Sequence, residues 1–380
     1  MLERNHFESE HELFRQGLRD FIVREVEPHS RQWDEVGITP KSVWRAAGAN
    51  GFLCTWADVD YGGAGCRDFR YDQIVCEELA RINEAGLALP LHSSIIAPYL
   101  DRFASDEQKR RWLPRVVSGE AILAIAMTEP GAGSDLAGIT TRAVPRGDDW
   151  ELTGSKTFIS NGINADLVIV AAKSDAGNAR RIGLFVVESG MAGFQRGRKL
   201  EKLGNRAQDT AELFFNAVHV PQANVLGDAH KGFHYLMALL ADERLTEACS
   251  SVALARAAFD MTLEYTRNRK AFGQPIASFQ ANRFRFAEMA TEIDVAQAFV
   301  DRCVMAHVAR SLSAETAAEA KLFTTELLGR VTDACVQLHG GYGYMLEQPI
   351  ARLYANARVH RIWAGASEVM KEIIGRGLGI

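Results

Sequence analysis

No run of apolar residues in this 380-residue chain approaches the ~20 that a bilayer-spanning helix requires, so membrane insertion is not expected. The opening MLERNHFESEHELFRQ lacks the apolar centre of a secretory signal and the acid-poor character of a transit peptide. A cytoplasmic location is the expectation. The six cysteines, at 54, 66, 76, 249, 303 and 335, show neither a CxxC pair nor the Cys/His spacing of a zinc site, so no disulfide and no metal is expected. Blocks of like charge are missing too. With 43 basic residues against 48 acidic and a net charge of -5, nucleic acid is not an expected partner. Internal repeats and low-complexity linkers are also absent, which favours units packed against one another with room for a ligand between them.

At 47% hydrophobic residues the chain can form two or three packed units. Residues 1–120 read as helical: Leu13, Phe14, Leu18, Phe21, Ile22 and Val26 recur at three- and four-residue steps and stop at Pro28. Thr39 and Pro40 announce a helix over TPKSVWRAAGANG, and YDQIVCEELARI and SDEQKRRWLPRVV fit further helices. Over 121–228 the period changes to strands, in WELTGSKTFIS, DLVIVAAK, IGLFVVE and AELFFNAVHV, separated by turns at RGDD, SDAGN and ESGMAG. From 229 to 380 the chain returns to long helices, near 232–269, 279–310, 313–339 and 367–375. The expected fold class is therefore mainly α with a β insert. These helices carry more apolar surface than one bundle needs, which points to a subunit interface.

Four stretches can carry chemistry, each with a plain alternative. AMTEPGAGSDLAG sets Gly131 and Gly133 beside Thr128, Ser134 and Asp135, as a loop between helix and sheet or as a cradle for a planar polar ligand. KTFISNG puts Phe158 and Ser160 on one face of a strand, as core or as a platform for a flat ring. RNRKAFGQP ends a helix with Arg267, Arg269 and Lys270, which suits the helix dipole or a pyrophosphate. QLHGGYGY is a glycine helix stop or a close backbone approach.

RIWAGASEVM starts a helix after a small-residue turn, a place where backbone N–H groups can hold an anion, yet no acid or base lies between Trp363 and Ser367. A base is available elsewhere. In LMALLADERLTEA, Glu243 follows Leu236, Leu239 and Leu240 at helical offsets, so it projects from an apolar face, a costly place for an unpaired charge. An ion pair with Arg244 would explain it structurally; a base with a raised pKa would explain it functionally. Asp242 and Glu247 read as surface acids.

Taken together and in order, these stretches resemble the acyl-CoA dehydrogenase family. AMTEPGAGSDLAG and the span from QLHGGYGY to WAGASE carry the resemblance, supported by HELFRQGLRDFIVREVEP, KLGNRAQDTAELFFNAVHVP and RKAFG. The resemblance implies an N-terminal helical domain, a barrel-like β domain, a C-terminal four-helix bundle, FAD and a homotetramer. It implies that Met127, Thr128 and Ser134 contact the flavin, Ser134 also lying near substrate, and that Phe158 and Ser160 stack on and bond to its ring. Arg269, Phe272 and Gln280 would reach the pyrophosphate from a neighbouring subunit, while Gln337, Gly340, Gly341, Ala366 and Glu368 hold the rest of the dinucleotide. Many members carry a catalytic glutamate where this chain has Ala364. A long-chain and isovaleryl-type subset takes its base from the first helix of the C-terminal domain, just before an arginine, and Glu243–Arg244 matches that placement.

The implied reaction is α,β-dehydrogenation of an acyl-CoA in β-oxidation, with Glu243 as base, the Ala364 amide on the thioester carbonyl, Arg244 and Gly365 beside the substrate, and electron-transfer flavoprotein as acceptor. Flavin oxidases and monooxygenases on the same fold, and a dehydrogenase of acyl carrier protein thioesters, are the alternatives.

Overall fold

Three segments lead from the N-terminus in unbroken succession: α1 (Ser9–Phe21), a π-helical turn (Ile22–Val26) and α2 (Glu27–Val36). The computed structural model describes residues 3–175, 177–178 and 181–380, so the SDAGN turn is described except for Ala176. Leu18, Phe21, Ile22 and Val26 are buried as expected, but Leu13 is 75% exposed and Pro28 does not end the helix. The wider π turn is the reason: it resets the hydrogen-bond register so that Pro28 falls in the first turn of α2, where an N–H would have no helical partner. Next, α3 (Lys41–Ala49) begins one residue later than expected, with Pro40 extended at its cap. The Thr39 hydroxyl is engaged elsewhere, donating to the Ala207 carbonyl at 3.4 Å. Asp68 caps α4 (Phe69–Arg81), α5 (Ala97–Phe103) follows, and a Ser105/Gln108 capping box starts α6 (Asp106–Val117).

Among the described residues the β region holds seven strands: β1 (Leu123–Ala126), β2 (Arg142–Arg146), β3 (Asp149–Ser160), β4 (Leu167–Lys173), β5 (Ile182–Glu188), β6 (Phe194–Lys199) and β7 (Thr210–Val220). β4 is the junction. It pairs antiparallel with β5 and parallel with β1, and its end meets β2, from which β3, β7 and β6 continue antiparallel. β1, β2 and β6 escape the period-two reading because β1 is four residues long, β2 contains Pro145, and β6 is the polar FQRGRK.

The 37-residue α7 (Gly232–Asn268) opens the C-terminal helices, followed by a short hairpin of β8 (Lys270–Ala271) and β9 (Gln274–Pro275). Then come α8 (Gln280–Val308), α9 (Ala314–His339), α10 (Pro349–Ala357) and α11 (Ser367–Gly377). The short α10 is absent from the sequence reading because its nine residues are too few to establish a period. Two cores meet on α7. Leu236 and Leu239 pack with the N-terminal helices and the sheet, whereas Leu245, Ala248, Cys249, Val252 and Ala255 pack in the helical bundle with α8 and α9. Glu243 sits at the changeover. All six cysteines are free thiols, five of them buried.

Candidate active site

Glu243 keeps some contact with water, yet protein packs densely around its carboxylate. Burial pushes its carboxyl up to about 7, with Arg244 and Lys321 pulling down and Glu247 pushing up. A partner at ion-pair distance is lacking: among the described residues its carboxylate is in no salt bridge, with Arg244 or any other cation. Arg244 is buried, its Nε without a hydrogen-bond partner, and burial lowers its pKa against the pull of Glu243. A carboxyl near neutrality with room to accept a proton is chemically a general base.

The turn before α11 has Ala364 at φ +52° and Gly365 at φ +91°, both left-handed. At 365 the positive φ favours glycine, and a Cβ would also press the Met370 Cε at 2.5 Å and force that side chain to shift. The N–H groups of Ala364, Gly365 and Ala366 bond to no other described residue, which leaves them as free donors. Two side chains of α9 hold the turn from behind. The fully buried Lys321 Nζ donates to the Gly365 carbonyl at 2.6 Å, and Glu326 accepts from the Ser367 hydroxyl at 2.7 Å and from Arg361 at 3.3 Å. Glu368 is exposed in the first turn of α11.

The loop from Met127 to Asp135 is clamped underneath by a buried ion pair. Lys156 Nζ donates to the Met127 carbonyl at 2.8 Å and to Glu129 at 2.9 Å. Glu129 also accepts from Thr140 and Thr141, and although burial opposes its charge, these bonds draw its carboxyl down to about 2. Burial lowers the Lys156 ammonium and Glu129 opposes it, which leaves it at about 8, above neutral pH. The Thr157 N–H donates to the Thr128 carbonyl, so this loop is tied to β3 just where the β3–β7 register breaks, between Lys156 and Ile159. Inside that bulge Phe158 has φ +59° and its ring is 67% exposed, while Ser160 lies two residues on, part-exposed. Alternation alone predicted their common face; the bulge adds the outward thrust. Gly131 and Gly133 face open space, and Ser134 is exposed.

Arg269, Gln337, Gly340 and Gly341 line one open cleft of ≈ 510 Å³ with Tyr265 and Tyr342, the Arg269 guanidinium standing 5.5 Å over the Tyr342 ring. The sequence reading assigned Arg269 and the Gln337–Gly341 run to different subunits; here they share one chain's cleft. Phe272, at φ +51° and 96% exposed, lies at the tip of the β8–β9 hairpin, and Gln280 is exposed at the start of α8, both outside the cleft.

Two acids differ from expectation. Glu247 is buried and paired with His360, and also accepts from the Ser251 hydroxyl at 3.0 Å. One helical turn from an inward Glu243, it faces inward as well, a signal readable from the spacing of four. Asp242 bridges α5 to α8, accepting from Arg102 at 2.8 Å and bonding His307 at 3.1 Å. Lys321, Glu326 and His360 escaped the sequence reading because their partners lie 35 or more residues away.

Comparison with known proteins agrees with this geometry. Residues 8–120, 124–218 and 230–379 match the family models described as acyl-CoA dehydrogenase N-terminal, middle and C-terminal domains. Long-chain specific acyl-CoA dehydrogenase of Sus scrofa is 46% identical over 97% of this chain and 86% of its own length. A crystal structure of acyl-CoA dehydrogenase from Geobacillus kaustophilus superposes with a TM-score of 0.97 at 47% identity, covering 100% of both chains. A Mycobacterium smegmatis glutaryl-CoA dehydrogenase in complex with FADH2 is 28% identical with a TM-score of 0.91, over 98% of this chain and 95% of that one. The chain belongs to the acyl-CoA dehydrogenase family, FAD-dependent oxidoreductases that desaturate acyl-CoA thioesters between the α and β carbons.

Proposed function

We propose that Glu243 is the base that removes the α proton of the acyl-CoA and that the Ala364 N–H receives the thioester carbonyl. The carrying observation is a carboxyl raised to about 7, without an ion-pair partner, within the electrostatic influence of Lys321, which itself holds a turn of free N–H donors. Proton loss from the α carbon builds negative charge on the thioester oxygen, and a fixed N–H donor stabilises that charge without having to reorganise. Arg244 sits beside the base, favouring its ionised form and orienting it or the substrate.

The residues present fit FAD. The outward Phe158 ring and Ser160 suit the isoalloxazine, with Met127, Thr128 and Ser134 at its edge, while Ala366 and Glu368 start a helix whose N-terminus suits a phosphate. When bound, FAD supplies the two-electron acceptor for the hydride that leaves the β carbon. Arg269, Gln337, Gly340 and Gly341 form the dinucleotide cleft, with Phe272 and Gln280 on its flank, and we assign this whole group to the FAD of a neighbouring subunit in a homotetramer. Exposed Tyr342, Tyr344, Met345 and Leu346 beside the cleft support such an interface. Domain limits at 1–120, 121–228 and 229–380, electron-transfer flavoprotein as acceptor, and a cytoplasmic location complete the reading; fractionation tests the last, since the pig relative's name includes the word mitochondrial.

Anaerobic titration with straight, branched and aromatic acyl-CoAs tests the assignment. Wild type should bleach with some thioesters, and Glu243→Gln should bind them but bleach about 10²- to 10⁴-fold more slowly. Near wild-type bleaching by the variant would remove Glu243 from the role.

A further inference from the structure

Lys321 is a lysine whose side chain is wholly out of solvent, an arrangement proteins rarely keep unless the charge is used. Burial lowers its pKa, opposed by Glu247, Glu243 and Glu326, so three carboxylates from two helices favour the charged ammonium. Yet none of them is within ion-pair distance of Nζ among the described residues. The hydrogen bond it makes goes instead to the Gly365 carbonyl at 2.6 Å, one residue beyond Ala364. An ammonium held by carboxylates at a distance and bonded to a neutral carbonyl is poorly explained as a packing counter-ion. It is well explained as a clamp.

We propose that Lys321 is a positioning residue: through the Gly365 carbonyl it fixes the left-handed Ala364–Gly365 turn so that the free Ala364 N–H stands where a substrate oxyanion develops, opposite Glu243. The proposal rests on the function assigned above to Glu243 and Ala364. Three features of the turn make such a clamp necessary. Ala364, a residue with a Cβ, is held at φ +52°, a conformation that costs energy unless the surroundings impose it. The N–H groups of 364, 365 and 366 have no internal partner to hold them. The other fastening, Ser367 to Glu326, acts two residues beyond Gly365 and does not hold the Gly365 carbonyl.

The charge has a second effect on the same chemistry. The groups around Lys321 are Glu243, Glu247 and Arg244 from α7 and Glu326 from its own helix, with His360 bonded to Glu247 from the segment before the turn. Lys321 favours the ionised form of Glu243, whereas Glu247 disfavours it. One cation thus orients the oxyanion donor and favours the charged base.

The test compares FAD-loaded wild type with Lys321→Met, which removes bond and charge, and Lys321→Gln, which keeps a donor for Gly365 and removes the charge. Two readouts apply: the limiting rate of anaerobic flavin reduction by saturating acyl-CoA across pH, and the ultraviolet band of the enolate formed from a bound 3-oxoacyl-CoA, which ionises at its acidic α position without being oxidised. The expected result for Lys321→Met is a limiting rate about 10- to 100-fold lower with half-saturation within about threefold. Its enolate should form at higher pH than in wild type. For Lys321→Gln the rate loss should be smaller, while the acid limb of the pH profile still moves upward.

The proposal is overturned if Lys321→Met reduces flavin within twofold of wild type with an unmoved acid limb. It is equally overturned if both variants lose only FAD or acyl-CoA affinity, leaving limiting rate and enolate unchanged once saturated. Should Lys321→Met not fold, the acid limb and enolate band of Lys321→Gln decide alone. Failure of the underlying reading looks different: wild type itself would not bleach with any acyl-CoA, or Glu243→Gln would bleach as wild type does.

Discussion

At Glu243 the same burial that suits the proposed base also strains the fold, and the two effects separate with pH. The ordinary carboxyl value of 4.5 rises to about 7 in the folded chain, so the stability associated with this group is fully present below about 4.5 and is lost as pH rises through about 7. Glu243→Gln removes the ionisation. Its melting temperature should match wild type near pH 4.5 and exceed it at pH 8, by the equivalent of up to about 3 kcal/mol. Calorimetry at the two pH values checks this, and an unchanged difference would mean the carboxyl is not desolvated. In the other direction, the wild-type rate of flavin reduction should fall about tenfold per pH unit below about 7, because the protonated acid cannot accept the α proton. Phe158 offers a complementary contrast. With 67% of it exposed, Phe158→Ala should change stability by less than about 0.5 kcal/mol while lowering FAD retention on gel filtration.

Among the elements, the Met127–Asp135 loop depends most on one buried contact. Glu129 is held at about 2 against an ordinary 4.5, so its contribution is present above about 4.5 and disappears as pH falls toward 2. Glu129→Gln leaves the Lys156 ammonium buried without its counter-charge, which should cost about 3–5 kcal/mol at pH 7. Urea melts should show that gap narrowing as pH falls from about 4.5 to about 2, where wild type loses the pair as well. This clamp was not legible in the sequence, because nothing local couples position 129 to 156. The long elements were legible: α7, α8 and α9 impose a period over many turns, and β3, β4, β5 and β7 alternate or run apolar long enough to be recognised. Elements set by context were not, as β6 with its polar FQRGRK and the π turn that carries Pro28 past its expected stop both show. The site divides the same way. Glu243 could be found from its own helix, whereas Lys321, Glu326 and His360 acquire meaning only when α9 and the 358–367 segment are packed against α7.

For the whole molecule, the length of α7 decides how many chains one site needs. At about 1.5 Å per residue the helix sets Glu243 about 39 Å from Arg269 at its end, farther than one extended FAD reaches. On the proposed assignment, the cleft of Arg269 and Gln337–Gly341 serves a cofactor whose flavin lies in another copy. Co-expressing Arg269→Ala with Glu243→Gln should restore part of the activity that each lacks alone, because a subunit with an intact Glu243 can then face an intact cleft. No recovery in the mixed protein would place cleft and base on one FAD. A rigid rod too long for its own ligand also turns catalysis into a concentration-dependent property. If the proposed assembly holds, each chain below its dissociation constant loses the far anchor of its cofactor, so dilution should silence the enzyme before it unfolds it.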